Sequence, residues 1–384
     1  MRIPSRQPLI LTLAILTLVL TGGYLLLHSR AATPQIATET ESGTIAGSAT
    51  AVTDSSASSG RAVQFGSTGL PAASINGFNW PEAGRVYVAH WNQQTVLAGD
   101  PARAYRVAKA NDIHTVRVFL GDDVIIGLWK DNPTAVLNDV QRMLDDAQAN
   151  GINLIISNYL TKETMEKLAS RSYGSWEEAQ RDMVLPSSTA YKTFQAWEQA
   201  VVSRFGSHPA AYSWEVSNEP NWMLGIDSGN VSKQTGYTFL DSFHQKLHSY
   251  GAKRVNGGGG PYYDPSKLTD AEIKLYAGNL DILDNHFYPP TDANNIAYGT
   301  AADAQKEIDK TAAYYQRART VLNRPAMPAM LGEFGSTPKA WFETVAQQSI
   351  SRGWQTNVWA FDAYDQHNFT DTLRPEVLNF MQQF

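Results

Sequence analysis

The sequence predicts an α/β chain folded as a (β/α)8 TIM barrel, preceded by an N-terminal transmembrane or signal segment and a disordered linker. Three observations predict it. From Ile75 onward, short apolar runs alternate with amphipathic helical stretches, the pattern of a parallel sheet. The runs number eight in about 310 residues, which fits a closed barrel better than an open doubly wound sheet. No Gly-x-Gly-x-x-Gly follows the first run, so a dinucleotide-binding sheet has no support.

The elements follow in order. Ile75 to Trp80 reads as the first strand and Thr115 to Leu120 as the second. Thr134 to Asn150 reads as a helix, because Val136, Leu137, Val140, Met143, Leu144 and Ala147 recur at helical spacing and Gly151 stands where a C-terminal cap belongs. Ile152 to Ile156 is the third strand. Thr189 to Phe205 is a helix with Phe194, Trp197, Val201 and Phe205 on one face, and the run from Trp214 is the fourth strand. Further strands fall at Arg254 to Asn256, Leu280 to Phe287, Ala329 to Phe334 and Thr356 to Phe361, with a helix at Ala302 to Leu322. Gly257 to Gly260 lacks the Lys-Ser/Thr of a phosphate loop and reads as a tight strand-to-loop turn.

The N-terminal 73 residues have a different texture. Arg2 and Arg6 precede an apolar stretch from Pro8 to Leu27, about the length that crosses a bilayer. It is longer than an ordinary signal h-region, and Ser29-Arg30-Ala31 is a mediocre cleavage site, so residues 1–30 read as a signal anchor in preference to a cleaved signal peptide. Residues 31–73 are rich in Ala, Ser, Thr and Gly. Such a stretch buries too little apolar surface to offset its ordering entropy and is expected to be a flexible tether. Residues 74–384 form the expected catalytic domain. It would lie on the extracellular face of the cell membrane or be secreted, with membrane contact through the N-terminal segment only.

Composition narrows the chemistry. The chain has 384 residues, with 31 basic against 37 acidic, a net charge of −6 that gives no support for a nucleic-acid partner. It has no cysteine, which excludes disulfides, thiolate catalysis and Cys-ligated zinc. His244 and His248 are four apart on a helix but lack a third ligand and read as a solvated face; Asp122-Asp123 lack calcium-loop spacing. No metal and no cofactor are expected, and the chain is expected to be a monomer.

Two glutamates carry the functional argument. Glu219 closes the run Trp214-Glu215-Val216-Ser217-Asn218-Glu219-Pro220, and Glu333 lies in Ala329-Met330-Leu331-Gly332-Glu333-Phe334-Gly335. Each reads as a carboxylate at the C-terminal edge of a buried strand, the edge where such a barrel builds its active site. Two carboxylates meeting there can cleave a glycosidic bond. Asn218 and Glu219 are consecutive and would face opposite sides of a regular strand, so a bulge at the strand end is expected to bring both into the cleft. His286 and Tyr288 share a face at the end of the sixth strand. Arg117 is a charge inside an apolar strand and needs a carboxylate, either an active-site glutamate or a structural partner. Trp359, on the eighth strand, fits a sugar platform or a plain core tryptophan. Trp80, Trp91, Trp129, Trp222, Tyr262 and Tyr263 lie near strand ends and are further platform candidates.

The runs Ser213-Trp214-Glu215-Val216-Ser217-Asn218-Glu219-Pro220, His286-Phe287-Tyr288-Pro289 and Leu331-Gly332-Glu333-Phe334-Gly335 resemble those of the clan A retaining glycosidases. They are most similar to glycoside hydrolase family 5, which contains cellulases and β-mannanases, over about Ile75 to Phe384. The resemblance implies Glu219 as acid/base, Glu333 as nucleophile and Asn218 as a hydrogen-bond partner of the sugar 2-hydroxyl. It implies that Tyr288 and Arg117 hold Glu333 ionised, that His286 supports the acid/base or the sugar, and that Trp359 floors the cleaved subsite. Many members carry a histidine at the end of the third strand, where this chain has Ile155-Ile156-Ser157-Asn158-Tyr159. Some mannanases resemble it in having asparagine there, which favours a mannan-type substrate over cellulose. The expected activity is therefore endo-hydrolysis of a β-1,4-linked polysaccharide or oligosaccharide. A surface-tethered carbohydrate-binding pseudoenzyme and a transglycosylase using the same residues are the rival readings.

Overall fold

The protein is described by a computed structural model, at residues 49–53, 61–65, 75–90, 100–260, 267–289, 299–335 and 338–358. The chain divides into two compact units, Met1–Thr68 and Gly69–Phe384. The first contains strands β1 (Ala49–Thr53) and β2 (Arg61–Phe65), which pair antiparallel from Ala49 opposite Phe65 to Thr53 opposite Arg61. These strands fall within residues 31–73, where a flexible tether was expected. Composition suggested a tether because small residues dominate there. Thr50, Val52, Val63 and Phe65 nonetheless have the branched or aromatic side chains that favour extended backbone. The apolar stretch Pro8 to Leu27 lies outside the described residues. Among those described, no helix is long and apolar enough to cross a membrane.

The second unit is built on a parallel sheet of β3 (Ile75–Trp80), β4 (Thr115–Gly121), β5 (Asn153–Asn158), β6 (Ala211–Trp214), β7 (Leu283–Phe287), β8 (Ala329–Phe334) and β9 (Gln355–Val358). Their order is β6-β5-β4-β3-β9-β8-β7, every neighbour parallel. The predicted fifth strand is reduced to two parallel bridges, Trp214 with Val255 and Asn256 with Ile282. The glycine run beginning at Gly257 ends it after two residues. Those bridges join β6 to the start of β7 and complete the ring, an arrangement consistent with a (β/α)8 barrel. Ile75 to Trp80, Thr189 to Phe205 and Ala329 to Phe334 form with the predicted bounds.

Parity along the strands sorts the interior. On β4, Val116, Val118 and Leu120 join the large apolar layer between sheet and helices, while Arg117 faces the other way, into the barrel. The helix Thr189–Phe205 buries Phe194, Trp197, Val201 and Phe205 in the outer layer. Its start is capped by the Ser188 hydroxyl, which accepts from the Tyr191 N–H. Inside the barrel, Ile155, Ile282 and Met330 meet in a small apolar cluster with Tyr212 against it. Arg117, Glu215, Asn256 and Asp284, buried as well, make the rest of the interior polar.

His244 departs from expectation. It is 1% exposed, not part of a solvated face. It sits among Leu240, Phe243 and Leu247 on the apolar stripe of the helix Lys233–Tyr250, and burial pushes its imidazole down to about 3, so it is neutral. His248 meets the Asn279 carbonyl at 3.1 Å.

Glu198, also on Thr189–Phe205, is buried with the Asn158 amide as its hydrogen-bond donor. Burial pushes its carboxyl up to about 8 from an ordinary value of 4.5. Across that window the folded chain holds a proton that the unfolded chain has released, so stability falls as pH rises from about 4.5 to about 8. Glu198→Gln keeps an acceptor for Asn158 and removes the titration. Thermal unfolding measured across this window is expected to show a shallower decline with pH in Glu198→Gln than in the wild type.

Candidate active site

Arg117 is wholly buried, and its five N–H donors are all used. Nε lies 3.0 and 3.1 Å from the two carboxylate oxygens of Glu215, and Nη2 donates to Glu215 Oε2 at 2.6 Å. Nη2 also donates to Asn218 Oδ1 at 2.8 Å. Nη1 donates to Asn79 Oδ1 at 3.1 Å and to Glu333 Oε2 at 3.2 Å. The guanidinium therefore takes both partners that the sequence left open, a structural glutamate in Glu215 and the strand-end Glu333. Glu215 was missed as a site residue. Its signal was present: like Arg117, it is a charge flanked by apolar residues in a buried run. Asn256 Nδ2 holds it from the other side at 2.7 Å.

Glu333 stands on β8 directly after a backbone that side chains pin from two sides. The Gly332 N–H donates to Asp284 Oδ1 at 2.8 Å, and Asn79 Nδ2 donates to the Gly332 carbonyl at 3.1 Å. A Cβ at Gly332 would fall 2.6 Å from both Asp284 carboxylate oxygens, so this approach requires glycine. Tyr288 donates its hydroxyl to Glu333 Oε1. Each carboxylate oxygen of Glu333 thus has its own donor, Tyr288 on one and Arg117 on the other.

Glu219 is held differently. The strand β6 ends at Trp214, and the bulge expected at Asn218-Glu219 is absent. Glu219 instead adopts left-handed backbone, φ 40° and ψ 59°. A non-glycine residue there stores roughly 1–3 kcal/mol of strain. The turn is tied by Asn218 N–H to the Asn158 carbonyl and by Glu219 N–H to the Gly258 carbonyl, each at 2.7 Å. It lets two consecutive side chains enter one cleft, Asn218 reaching Arg117 while Glu219 Oε1 lies 3.2 Å from His286 Nδ1. The same His286 nitrogen is 3.6 Å from Glu333 Oε2.

The electrostatics differ from the expectation that Arg117 and Tyr288 hold Glu333 ionised. Burial raises Glu333, and His286 and Arg117 do not pull it back to its ordinary value. Much of the Arg117 charge is already committed to Glu215, which it holds below the usual carboxylate range against burial. For Glu219, burial acts upward, but hydrogen bonding and attraction to His286 outweigh it and hold the carboxyl low. His286 is raised, its burial outweighed by Glu333 and Glu219. The same contact thus acts oppositely on its two partners, holding the Glu219 carboxyl low and the His286 imidazole high. One ligand atom from each of Glu219, His286 and Glu333 lies within 4.8 Å of the others, so these three are also where a divalent cation would fit.

The remaining expected residues separate. Trp359, Trp91, Tyr262 and Tyr263 lie outside the described residues. Trp80 is buried against Tyr105, and Trp129 packs edge-on to Trp197. Trp222 is 45% exposed, three residues after Glu219, with Trp176 against its edge. Asn158 does not line the cleft. Its amide donates to the carbonyls of Glu215 and Val216 at 3.3 and 3.1 Å, and it accepts from Trp197 Nε1 at 3.0 Å. Tyr159 follows it, stacked on Phe119 at 5.1 Å, and feels the charges of both Glu219 and Glu333.

The chain also matches a family description. Residues 82–372 fit the model of cellulase, glycosyl hydrolase family 5. The chain belongs to glycosyl hydrolase family 5. Solved structures share the fold at low identity. An endo-β-1,4-mannanase from Thermotoga petrophila is 12% identical with a TM-score of 0.54, covering 81% of this chain and 76% of its own. A GH5-4 broad-specificity endoglucanase from Clostridium acetobutylicum is 15% identical, TM-score 0.53, covering 80% and 96%. Thermotoga maritima Cel5A, solved in complex with mannotriose, is 17% identical, TM-score 0.52, covering 81% and 98%. No curated protein matches the chain.

Removing Glu215 would leave Arg117 short of its main partner in a dry interior. Glu215→Ala is expected to destabilise this family 5 domain by about 3–5 kcal/mol. Urea unfolding checks it, with the midpoint lowered and the slope unchanged.

Proposed function

We propose that the chain is a retaining β-glycosidase that cleaves β-1,4-linked mannan- or glucan-type polysaccharide internally. The observation that carries this reading is the convergence of Glu219 and Glu333 on one nitrogen of His286, at 3.2 and 3.6 Å. An inverting pair stands roughly 6.5–9.5 Å apart to admit a water, whereas a retaining pair stands near 5 Å. Oxygens of these two carboxylates lie within 4.8 Å of each other, which favours the retaining chemistry.

In this reading Glu333 attacks the anomeric carbon, and the glycosidic C–O bond breaks as Glu219 protonates the departing oxygen. A glycosyl ester on Glu333 results. Glu219 then takes a proton from water, whose oxygen displaces Glu333 and restores the original configuration. Tyr288 and Arg117, one on each oxygen, hold Glu333 in line for attack. Glu219 is 16% exposed. A sugar covering it removes its contact with solvent, disfavours its charged form and raises the carboxyl toward the protonated acid. Asn218 contacts the 2-hydroxyl, and Trp359 floors the subsite, as the family resemblance implies. The mannanase and endoglucanase structures support the substrate class. The apolar segment Pro8 to Leu27 supports a position outside the cell membrane, anchored or secreted.

Reducing-sugar release by the full chain from mannan, glucomannan, cellulose derivatives, mixed-linkage glucan and xylan tests the proposal. Activity on mannan or a glucan is expected. Glu333→Ala and Glu219→Ala are each expected to lower it more than about a thousandfold. A proton NMR time course should show β product first; α product first overturns the retaining mechanism.

A further inference from the structure

The glycine run Gly257–Gly260 has no part in the reaction just described, yet each of its glycines lies close against a specific neighbour. A Cβ at Gly257 would meet the Tyr276 hydroxyl at 2.6 Å, and one at Gly260 would meet it at 3.0 Å. A Cβ at Gly258 would fall 2.1 Å from the Ser217 carbonyl oxygen, and one at Gly259 would fall 2.5 Å from three ring atoms of His286. Gly258 and Gly259 are also left-handed, at φ 66° and 90°. The outer two glycines therefore admit Tyr276, and the inner two lie flat against the segment bearing Glu219 and against its partner imidazole.

The hydrogen bonds run the same way. The single proton of the Tyr276 hydroxyl lies between the carbonyls of Gly260 and Gly257, at 2.5 and 3.0 Å, so one donor is shared across the two ends of the run. Between them, the Gly258 carbonyl accepts the Glu219 N–H at 2.7 Å. Tyr276 is 1% exposed, and its ring packs against Tyr237 and against the edge of His244. It is thus an anchored post behind a thin backbone wall, and the strained turn at Glu219 leans on that wall.

We propose that Tyr276 is a positioning residue for the acid/base. By fixing the run Gly257–Gly260 it holds the Glu219 turn and the His286 ring at hydrogen-bonding distance, without touching the substrate. The inference rests on the glycosidase reading and adds a residue outside the cleft to it. If Tyr276 acts through Glu219, its loss harms only the step that needs a proton delivered to the leaving oxygen.

The test compares two substrates on single preparations of the full chain. One is the polysaccharide, whose departing alkoxide needs protonation. The other is a 2,4-dinitrophenyl β-glycoside of the same sugar, whose departing phenolate does not. Because both values come from one preparation, any loss of folded protein cancels in their ratio. Tyr276→Phe is expected to lower kcat/KM on the polysaccharide about tenfold or more while leaving the dinitrophenyl substrate within about twofold. Gly259→Ala, which pushes on the His286 ring from the other side of the wall, is expected to give the same selective loss. Equal losses on both substrates, or no loss on either, in both variants overturn the positioning role. Glu219→Ala serves as the reference. If it too loses both substrates equally, the acid/base assignment falls and takes this inference with it. If Glu219→Ala is selective and the other two variants are not, only the positioning role is overturned.

Discussion

A single buried cation organises this barrel. Arg117 lies in the interior with no water to solvate it, where an unpaired charge costs several kcal/mol. Its five donors must be met, and they are met by Asn79, Glu215, Asn218 and Glu333, contributed by β3, β8 and the segment following β6. These are far apart in sequence and come from opposite sides of the ring. The register of each contributing strand is fixed by that demand, because a slip of one residue would turn its polar group out into the apolar layer. The requirement that stabilises the barrel thus also delivers Glu333 and Asn218 to one cleft.

The two carboxylates of the cleft are supported in unlike ways. Glu333 rides on a regular strand, with the backbone before it clamped by Asp284 and Asn79 and both its oxygens occupied by donors. It is 4% exposed. Glu219 sits in a strained left-handed turn beyond the end of its strand, more exposed and bonded to an imidazole whose hold on a proton is strengthened by its acidic neighbours. A nucleophile gains from a fixed line of attack. An acid that must become a base gains from a neighbour with which it can exchange a proton. The asymmetry of support follows the asymmetry of the proposed roles.

The cost of the arrangement appears as a surplus of buried acids. Glu215, Asp284, Glu333 and Glu219 surround one arginine and one histidine. Burial pushes Asp284 up to about 7; among the described residues its carboxyl receives the Gly332 N–H and the Asn256 amide. Farther out, Asn158 links the helix carrying Glu198 to the carbonyls of Glu215 and Val216, so the layer behind the barrel also bears on the turn leading to Glu219.

The sequence by itself determined whatever depends on local periodicity and local chemistry. Alternation of apolar runs with helical stretches identified the barrel, and runs such as Ala329–Phe334 and Thr189–Phe205 could be bounded because their patterns are strong over their whole length. Carboxylates at run ends marked Glu219 and Glu333, and the cost of burial showed that Arg117 needed a partner. Tertiary structure decided which partner. Glu215 and Glu333 both satisfy the same local rule, and only closure of the ring shows that Arg117 reaches both. It also decided that His244 faces a core, that the fifth strand shrinks to two bridges, that Glu219 turns left-handed, and that His286 holds Glu219 low while being raised itself. Periods of 2 and 3.6 report which face a residue occupies. Pairing, burial and pKa depend on what lies opposite that face, and in a closed barrel the opposite face comes from a segment distant in sequence, as with Arg117 and its partners Asn79, Glu215 and Glu333.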